Sequence, residues 1–469
     1  MFPEEGRPFI SERGGVHAAD HMRNGSKTFI RENSVSKIMM AASGGEQAQL
    51  FGRIDRRILP FLVLCYAFAS LDRTNIGFAK LQMAGAIGLG DAAYGFGAGI
   101  FFLGYVLFEM PSNFLLTRIG ARKTLSRIMV LWGLTSVSML FVRNEQSFYA
   151  LRFLLGVFEA GFAPGMIFYL TCWYPRTQMA RALAIVLSAT PIAAILGGPL
   201  SGWVMTSLDS VYGMAGWQWM FLIEGVPSVI LGVVAFFYLD DYPAQARWLS
   251  DDERRRLDVA RGEPSTPRGA SLAEVFRVLR NPKIYALALP YFCMISGLYT
   301  VAFWLPTLLK IAGEDSTVRI GFYSAIPYLV AIPAMMALAR RSDRLAERRL
   351  HCTIPLLAGA VALAVGTYAM HSFMIALVSI TLATALVYAA YSVFWAIPSD
   401  YLKGPDAAIG IALVNSIGLL GGFVSPTIIG WAKAATGDIR GGLAVMVGFL
   451  IVGAISLAIT RPVAKLGEV

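Results

Sequence analysis

Six ionisable side chains stand inside long apolar runs of this chain, where a charge is unfavourable, and four of them are candidates for a shared site. Asp72 and Arg73 are neighbours in one run, and Arg152 and Glu159 stand seven residues apart in another. A charged residue at the centre of a membrane helix costs about 2.5–3.5 kcal/mol on insertion scales, so such residues persist when they are paired or functional. If the four side chains converge, two cations and two carboxylates could bind an anion and a proton.

The residue types suggest a role for each charge. A guanidinium group binds a carboxylate bidentately and stays charged, so Arg73 is the candidate clamp for an anionic substrate. Asp72 and Glu159 are the candidate proton-coupling residues, and Arg152 is expected to tune both carboxylates. When an anion binds the arginine, the carboxylate loses its counter-ion and holds a proton more readily. Anion and proton would then favour each other's binding, which is the basis of symport.

The alternative for each buried charge is an ion pair that only locks helices together. This alternative carries least weight for Asp72 and Arg73 and more for Arg152. It carries most weight for Glu109 and Glu224, which lie near the ends of their apolar runs. We therefore leave these two glutamates outside the predicted site.

Composition places the chain among membrane proteins. Of its 469 residues, 56% are hydrophobic and 15% are charged, whereas a soluble domain carries about a quarter charged residues. The net charge of +10 is more typical of basic loops that stay cytoplasmic than of a nucleic-acid-binding protein. The four cysteines and four histidines show no metal-ligand spacing, so we expect no metal and no cofactor.

Twelve apolar runs are long enough to cross about 30 Å of hydrocarbon, which takes about twenty residues each. Helices 1 to 12 are predicted at 58–80, 94–117, 124–143, 147–173, 179–206, 217–239, 284–310, 319–339, 353–371, 373–397, 406–431 and 441–460. The predicted fold class is an all-α membrane protein of two pseudo-symmetric six-helix bundles. The predicted domains are a disordered N-terminus (1–52), a first bundle (53–239), a cytoplasmic linker (240–283), a second bundle (284–460) and a tail (461–469).

The two bundles look like copies of each other. The loop after helix 2 aligns with the loop after helix 8 when Arg118 is matched to Arg344, a spacing of 344 − 118 = 226. Independently, Trp203 of helix 5 matches Trp431 of helix 11 at 431 − 203 = 228. Parallel repeats of this kind are a transporter architecture, with the substrate site between the halves near the middle of the bilayer.

Basic loops predict the orientation of the chain. Lysines and arginines cluster between helices 2 and 3 and after helix 8, while the connections on the other side of the membrane contain few basic residues. Basic loops stay cytoplasmic, so both termini are predicted to be cytoplasmic. With a rise of about 1.5 Å per residue, Asp72 lies about 21 Å along helix 1, and Arg152 and Glu159 lie about 6 Å and 16 Å along helix 4. We therefore expect these charges to meet in one cavity.

Five segments carry a resemblance to a known family. They are LDRTNIGFA (71–79), PSNFLLTRIGARK (111–123), RFLLGVFEAGFAPG (152–165), GWQWMFLIEG (216–225) and RRSDRLAERR (340–349). On these motifs the chain, over about residues 53–460, resembles the major facilitator superfamily and, within it, the anion:cation symporter family. The resemblance implies uptake of organic anions such as sugar acids, tartrate, phthalate or hydroxyphenylacetate, commonly with protons, and it supports Asp72 and Glu159 as proton sites.

The same resemblance gives the basic loops a gating role. The superfamily loop motif works as a cytoplasmic latch that holds one conformation, and here it would involve Arg118, Arg122, Asp343 and Arg344. The first copy departs from the superfamily pattern, with Asn113 and Thr117 where Gly and Asp are usual. This departure is itself usual in the anion:cation symporter family. The motif is not a substrate site.

Polar and aromatic residues of several helices are candidates to line the substrate cavity. They are Tyr105, Tyr299, Trp395 and Asn415. Packing or a position at the membrane interface is the alternative for the aromatic residues, while Asn415 matches a family position taken to contact substrate. The related vesicular glutamate carriers have a second arginine in helix 7, where this chain has Met294. That difference argues against a glutamate-like dianion site.

These inferences predict import of a small organic carboxylate by proton symport, by a monomer in the cell inner membrane. An organic-anion exchanger or facilitator on the same fold is the main alternative, and a membrane sensor is a remote one. No G-x-S-x-G, HExxH or G-x-x-x-x-G-K-[ST] motif is present, so neither an enzyme nor an ATP-driven pump is expected. The expected partners are a small organic anion, a proton and the lipid bilayer, without nucleic acid.

Overall fold

The computed structural model describes residue 47 and residues 49–261, 272–402 and 407–460. In this part of the chain, eleven helices are long and apolar enough to cross a membrane. Residues 49–74 and Ile76–Ile87 form a further long helical segment, α1. The eleven helices are α2 to α12 in chain order: Asp91–Ile119, Ala121–Phe141, Glu145–Trp173, Thr177–Ser207, Gly216–Tyr238, Pro282–Ile311, Thr317–Leu345, Arg349–Tyr368, Phe373–Pro398, Ile409–Thr436 and Arg440–Ile459.

The predicted all-α membrane fold is confirmed, and the twelve predicted runs each overlap one of these helices. The connecting segment contains two shorter helices, Asp251–Arg261 and Leu272–Leu279. Most of the predicted N-terminal segment and the tail lie outside the described residues. The helices extend beyond the apolar runs because hydropathy marks only the part of a helix that lies in hydrocarbon. Thus α1 is already helical at residue 49, and α8 continues through its basic residues to Leu345.

One helix is interrupted beside a charged residue, whereas α1 continues past Arg73. Asn75 of α1 keeps helical dihedral angles (φ −58°, ψ −25°), and its N–H donates to the Leu71 carbonyl at 2.9 Å. In α4 the first helical stretch ends at Glu159, and Gly161 follows with φ +87°. Only glycine adopts this conformation without strain, and a β-carbon there would also collide with the Ser112 hydroxyl of α2. Broken membrane helices are typical of transporter binding sites, because the break exposes backbone and side chains to a cavity.

Helix lengths support the predicted duplication. Both α2 and α8 have 29 residues. Their first residues differ by 317 − 91 = 226 and their last by 345 − 119 = 226. This is the spacing at which the two basic loops align.

The two halves pack tightly at one end of the molecule, which we call the closed end and define by the α1–α2 connection. There α5 crosses α8 so closely that a β-carbon on Gly198 would lie 2.6 Å from the Gly321 carbonyl oxygen, and one on Gly202 would lie 2.7 Å from that of Thr317. Helix α2 crosses α11 in the same way, with Gly95 against Pro426. Small residues permit such close approach of membrane helices.

The opposite end, which we call the open end and define by the α2–α3 connection, is more loosely joined. The buried residues of α2 are concentrated between Ala93 and Tyr105, whereas Met110 and Phe114 further along are more than half exposed. The ion pairs that the structure describes at this end each join residues of one half or of the connecting segment. The halves therefore meet at the closed end and part towards the open end.

Candidate functional site

An ion pair between α1 and α4 lies where the two halves meet. The Arg73 Nη2 pairs with Glu159 Oε1. Arg73 Nη1 donates a hydrogen bond of 3.1 Å to the hydroxyl of Tyr299, which belongs to α7 of the other half. Glu159 is fully buried, whereas 23% of the Arg73 side chain remains exposed. One arginine thus connects the two halves through a carboxylate on its own side and a phenol on the other.

The pair leaves hydrogen-bonding capacity unused. Arg73 Nε and Glu159 Oε2 are buried, and neither has a hydrogen-bond partner in the described structure. A buried polar atom without a partner costs about 1–3 kcal/mol, more for a charged group. A ligand with carboxylate oxygens could bind Arg73 and relieve this cost.

Aromatic rings frame the arginine. The Arg73 guanidinium lies 5.6 Å from the ring centre of Phe101 and 5.7 Å from that of Tyr105. Phe101 also lies 5.3 Å from the guanidinium of Arg152. Rings at this distance attract a cation through their negative faces. Tyr105, predicted as a cavity residue, is therefore placed beside Arg73.

Asp72 does not join this cluster, which corrects the expectation that all four charges meet. Its carboxylate accepts hydrogen bonds from Trp132 Nε1 at 2.7 Å, Ser136 Oγ at 2.8 Å and Ser228 Oγ at 2.8 Å. These donors belong to α3 and α6, inside the first bundle. Successive residues of a helix point about 100° apart at 3.6 residues per turn, so when Arg73 faces the other half, Asp72 faces its own bundle.

Arg152 is also held away from the pair. Its side chain is 1% exposed, and it donates to the carbonyl oxygens of Gly97 at 3.3 Å and Ala98 at 3.2 Å in α2. In the described structure Arg152 forms no direct ion pair with Glu159. The Phe101 ring lies between the guanidinium groups of Arg152 and Arg73. The contacts of Arg152 position α4 against α2, and its charge acts on the pair only at a distance.

The other half contributes a network of aromatic and amide groups. Tyr291 donates to Asn415 Oδ1 at 3.2 Å and packs against Trp395 with ring centres 4.8 Å apart. Tyr391 stacks on Tyr291 with ring centres 6.1 Å apart. The structure therefore brings Asn415 and Trp395 into one network around Tyr291.

Sequence reasoning missed further aromatic residues. Tyr391 is one of them, and Tyr66 of α1 is another, which stacks on Phe162 of α4 with ring centres 6.1 Å apart. The available signals were weak: a tyrosine two helical turns before Arg73 on the same face, and the Tyr388-x-x-Tyr391 spacing in an apolar run. Aromatic residues in membrane helices usually pack or lie at the interface, so these signals did not distinguish a cavity.

Two further glutamates form separate contacts. Glu224 is fully buried and accepts from Asn75 Nδ2 at 3.0 Å and Ser201 Oγ at 2.7 Å, within the first bundle. Glu109 accepts from Ser416 Oγ at 3.3 Å and so connects α2 with α11. Neither contacts Arg73 in the described structure, in agreement with the packing alternative.

Charged residues also join the halves at the closed end. Asp91 pairs with Lys80 of its own half at 2.6 Å and with Lys433 of the other half at 3.1 Å. The Lys80 ammonium lies 3.7 Å from the ring centre of Trp304, again across the interface. Tyr94 adds a 2.7 Å hydrogen bond to the carbonyl of Phe303. These contacts make the closed end a polar as well as a close-packed junction.

The predicted gating residues lie at the open end, and the contacts described for them do not join the two halves. The Arg122 amide donates to Asp241 Oδ1 of the connecting segment at 2.7 Å, and Asp343 pairs with Arg348. Arg118 lies over the ring of Phe114 at 4.4 Å, and Arg344 is exposed. Among the described residues, no group of histidines, cysteines and carboxylates could hold a metal ion.

Two six-helix halves around a central ion pair define a polytopic membrane transporter. A family model described as Major Facilitator Superfamily matches residues 62–426, and the chain belongs to this superfamily of transporters, which are not enzymes. The predicted superfamily is thereby confirmed.

Named relatives agree with this assignment. The chain is 45% identical over 416 residues to an Agrobacterium vitis protein named "Putative tartrate transporter", covering 88% of this chain and 95% of that protein. It is 42% identical to the "Putative metabolite transport protein NicT" of Pseudomonas putida, with 86% and 92% covered. The fold is similar to the crystal structure of a bacterial homologue of the human lysosomal transporter Spinster in an inward-facing and occupied conformation. The TM-score is 0.71 at 17% sequence identity, and the match covers 86% of this chain and 95% of that chain.

Proposed function

We propose that this transporter imports a small organic carboxylate together with protons by alternating access. The observation that carries the proposal is the Arg73–Glu159 pair, which is buried at the junction of the halves and bonded to Tyr299 across it. Arg73 can bind a substrate carboxylate, Glu159 can bind a proton, and each is the counter-ion of the other. Binding of substrate to Arg73 therefore changes the proton affinity of Glu159, and protonation of Glu159 changes the substrate affinity of Arg73.

The proposed cycle follows from this shared pair. A substrate carboxylate binds the Arg73 guanidinium and displaces Glu159 Oε1. The released Glu159 carboxylate is fully buried and has lost its cation, so it binds a proton from solvent. After the halves rearrange, the proton leaves, Glu159 pairs with Arg73 again and the substrate is expelled. Proton and substrate therefore enter and leave together.

The same pair favours symport over anion exchange. An empty carrier must return through the membrane, and an unpaired arginine at mid-bilayer would make that step costly. Here Glu159 neutralises Arg73 when no substrate is present, so the empty carrier can return alone. An exchanger or facilitator on this fold remains the alternative, and it would not need Glu159 to titrate.

Asp72 is proposed as a second proton-coupling residue, with a role different from that of Glu159. Because its partners are Trp132, Ser136 and Ser228, its protonation would alter the contacts of α1 with α3 and α6 rather than contact substrate. Arg152 is proposed to support the site by fixing α4 on α2.

The lining supports a hydroxylated or aromatic acid as substrate. Tyr105 presents its ring face and Tyr299 its hydroxyl group to Arg73, and Tyr66 and Tyr391 add further aromatic rings to the two halves. Hydroxyl groups can bond the alcohols of a sugar acid or of tartrate, and ring faces can pack on an aromatic acid. The name of the Agrobacterium vitis relative, which refers to tartrate, points to the first of these classes.

We place the protein in the inner membrane with both termini in the cytoplasm. The basic residues of the open end support this orientation. The closed end then faces outward, and the structure corresponds to an inward-facing carrier. The latch residues Arg118, Arg122, Asp343 and Arg344 would join the halves only when the cytoplasmic side closes.

Accumulation in proteoliposomes tests the proposal. With the outside made acidic relative to the lumen, the protein should concentrate tartrate, a sugar acid or an aromatic acid inside, and an uncoupler should abolish the accumulation. Equilibration without accumulation under the same gradient would support a facilitator. Strict dependence on a trans anion would support an exchanger.

A further inference from the structure

An apolar groove runs along the outer surface of the second bundle between α7 and α12. Its volume is about 580 Å³. Its lining includes Leu289, Val452, Ile455 and Ile459, which are all exposed large hydrophobic residues. From Val452 to Ile459 the groove follows α12 for about 10 Å at 1.5 Å per residue. In a membrane this surface lies against hydrocarbon.

A smaller and more polar pocket adjoins the groove at the open end. Its volume is about 270 Å³, and it is lined in part by Arg277, Asn281 and Lys283. Lys283 and Tyr401 line both the pocket and the groove. The two cavities are therefore neighbours on either side of these side chains, and we call the smaller pocket the polar head of the groove.

Two basic residues line the polar pocket. Lys283 is exposed at the start of α7, and Arg277 lies on the short helix Leu272–Leu279. Their charges favour an anionic headgroup, because phosphate oxygens accept charge-assisted hydrogen bonds from arginine and lysine.

We propose that this groove and pocket bind one anionic phospholipid, with an acyl chain between α7 and α12 and the phosphate beside Lys283. The shape and charge of the combined cavity fit an amphiphile of this class. Basic pockets between membrane helices are also sites where anionic headgroups bind. The proposal does not depend on which substrate the central site carries, because the groove lies on the outer surface.

Native mass spectrometry of the purified full-length protein tests the proposal. The protein is reconstituted with phosphatidylglycerol or phosphatidylcholine of the same acyl chains, released, and scored for retained lipid. The wild type should retain one phosphatidylglycerol in preference to phosphatidylcholine. Lys283→Gln should reduce that retention about fivefold, the effect expected for one basic side chain near the headgroup. Lys310→Gln, at the opposite end of α7, is the matched control and should retain lipid like the wild type.

A second variant separates the groove from the head. Ala286 lines the groove, so Ala286→Trp should fill it and release phosphatidylglycerol while leaving the basic residues in place. Inorganic phosphate should not compete at millimolar concentration if the acyl chain contributes to binding. Equal retention of the two lipids, equal loss in Lys283→Gln and Lys310→Gln, or dimers in which a second copy of the chain replaces the lipid would each overturn the proposal.

Discussion

Replacing Glu159 with glutamine removes the proposed proton carrier while keeping its size. Glutamine resembles a protonated carboxyl in shape and in hydrogen bonding, yet it cannot release a proton. In the wild type, an anion must displace the fully buried Glu159 carboxylate from Arg73. In Glu159→Gln the arginine has no competing anion, so substrate binding no longer requires a proton.

The magnitude follows from proton linkage. The relevant pH range is the one in which Glu159 is deprotonated in the empty carrier but still protonated in the substrate complex. In this range each rise of one pH unit should weaken substrate affinity by up to about tenfold, or about 1.4 kcal/mol per coupled proton. The sign is fixed by the cycle, because substrate binding exposes Glu159 to protonation. Affinity therefore falls as pH rises and levels off when neither state holds the proton. In Glu159→Gln the dependence should disappear or fall to the part that Asp72 contributes.

The assay is equilibrium affinity in detergent or in sealed vesicles without a gradient, from about pH 5 to pH 9, with a substrate that is ionised throughout. Glu224→Gln is the matched control, because Glu224 is equally buried but bonds to Asn75 and Ser201 instead of Arg73. It should keep the wild-type slope. A wild-type affinity that is constant over this range, or the same slope in Glu159→Gln as in the wild type, would refute the reasoning.

Four further predictions concern single residues. Arg73→Lys should lose most transport although the charge is kept, because an ammonium group cannot bind a carboxylate bidentately; near-normal uptake would remove Arg73 from the substrate role. Tyr299→Phe loses one hydrogen bond to Arg73 and should weaken substrate affinity by about two- to tenfold, with the pH slope unchanged in the same titration. Asp72→Asn should lower the melting temperature, because an amide NH₂ faces donor groups, and should reduce the pH slope; a normal slope would exclude Asp72 from coupling. Asp91→Asn leaves two lysines without their shared carboxylate, so hydrogen exchange at residues 91–99 should accelerate, and unchanged exchange would argue against a role in closing that end.

The spans could be predicted because hydrocarbon imposes a simple rule on the sequence. Each crossing needs about twenty apolar residues in a helix that satisfies its own backbone, and that rule holds whatever the helices pack against. The repeat was visible for a similar reason, since Arg118 and Arg344 recur at the spacing that separates α2 from α8. The break of α4 at Gly161 was not predicted, because a single Gly in an apolar run does not distinguish a kink from ordinary packing.

The site was only partly accessible to sequence reasoning. Arg73 and Glu159 could be singled out because a charge in an apolar run is unfavourable in the membrane. Their ion pair offsets that free-energy cost. Rise per residue gave the depth of Asp72 but not its direction, and the rotation of about 100° per residue turns it into the first bundle. Tyr66 and Tyr391 contact aromatic rings of other helices, so their role depends on how the helices pack, which no local pattern encodes.

Proton movement driven by substrate tests the central claim most directly. Proteoliposomes with a pH-sensitive dye in the lumen are given an inward gradient of the transported carboxylate, at equal starting pH and with the membrane potential clamped. The account predicts that the lumen acidifies in the wild type, and that Glu159→Gln exchanges labelled substrate without acidification. Substrate entry through the wild type with no change in luminal pH would contradict it.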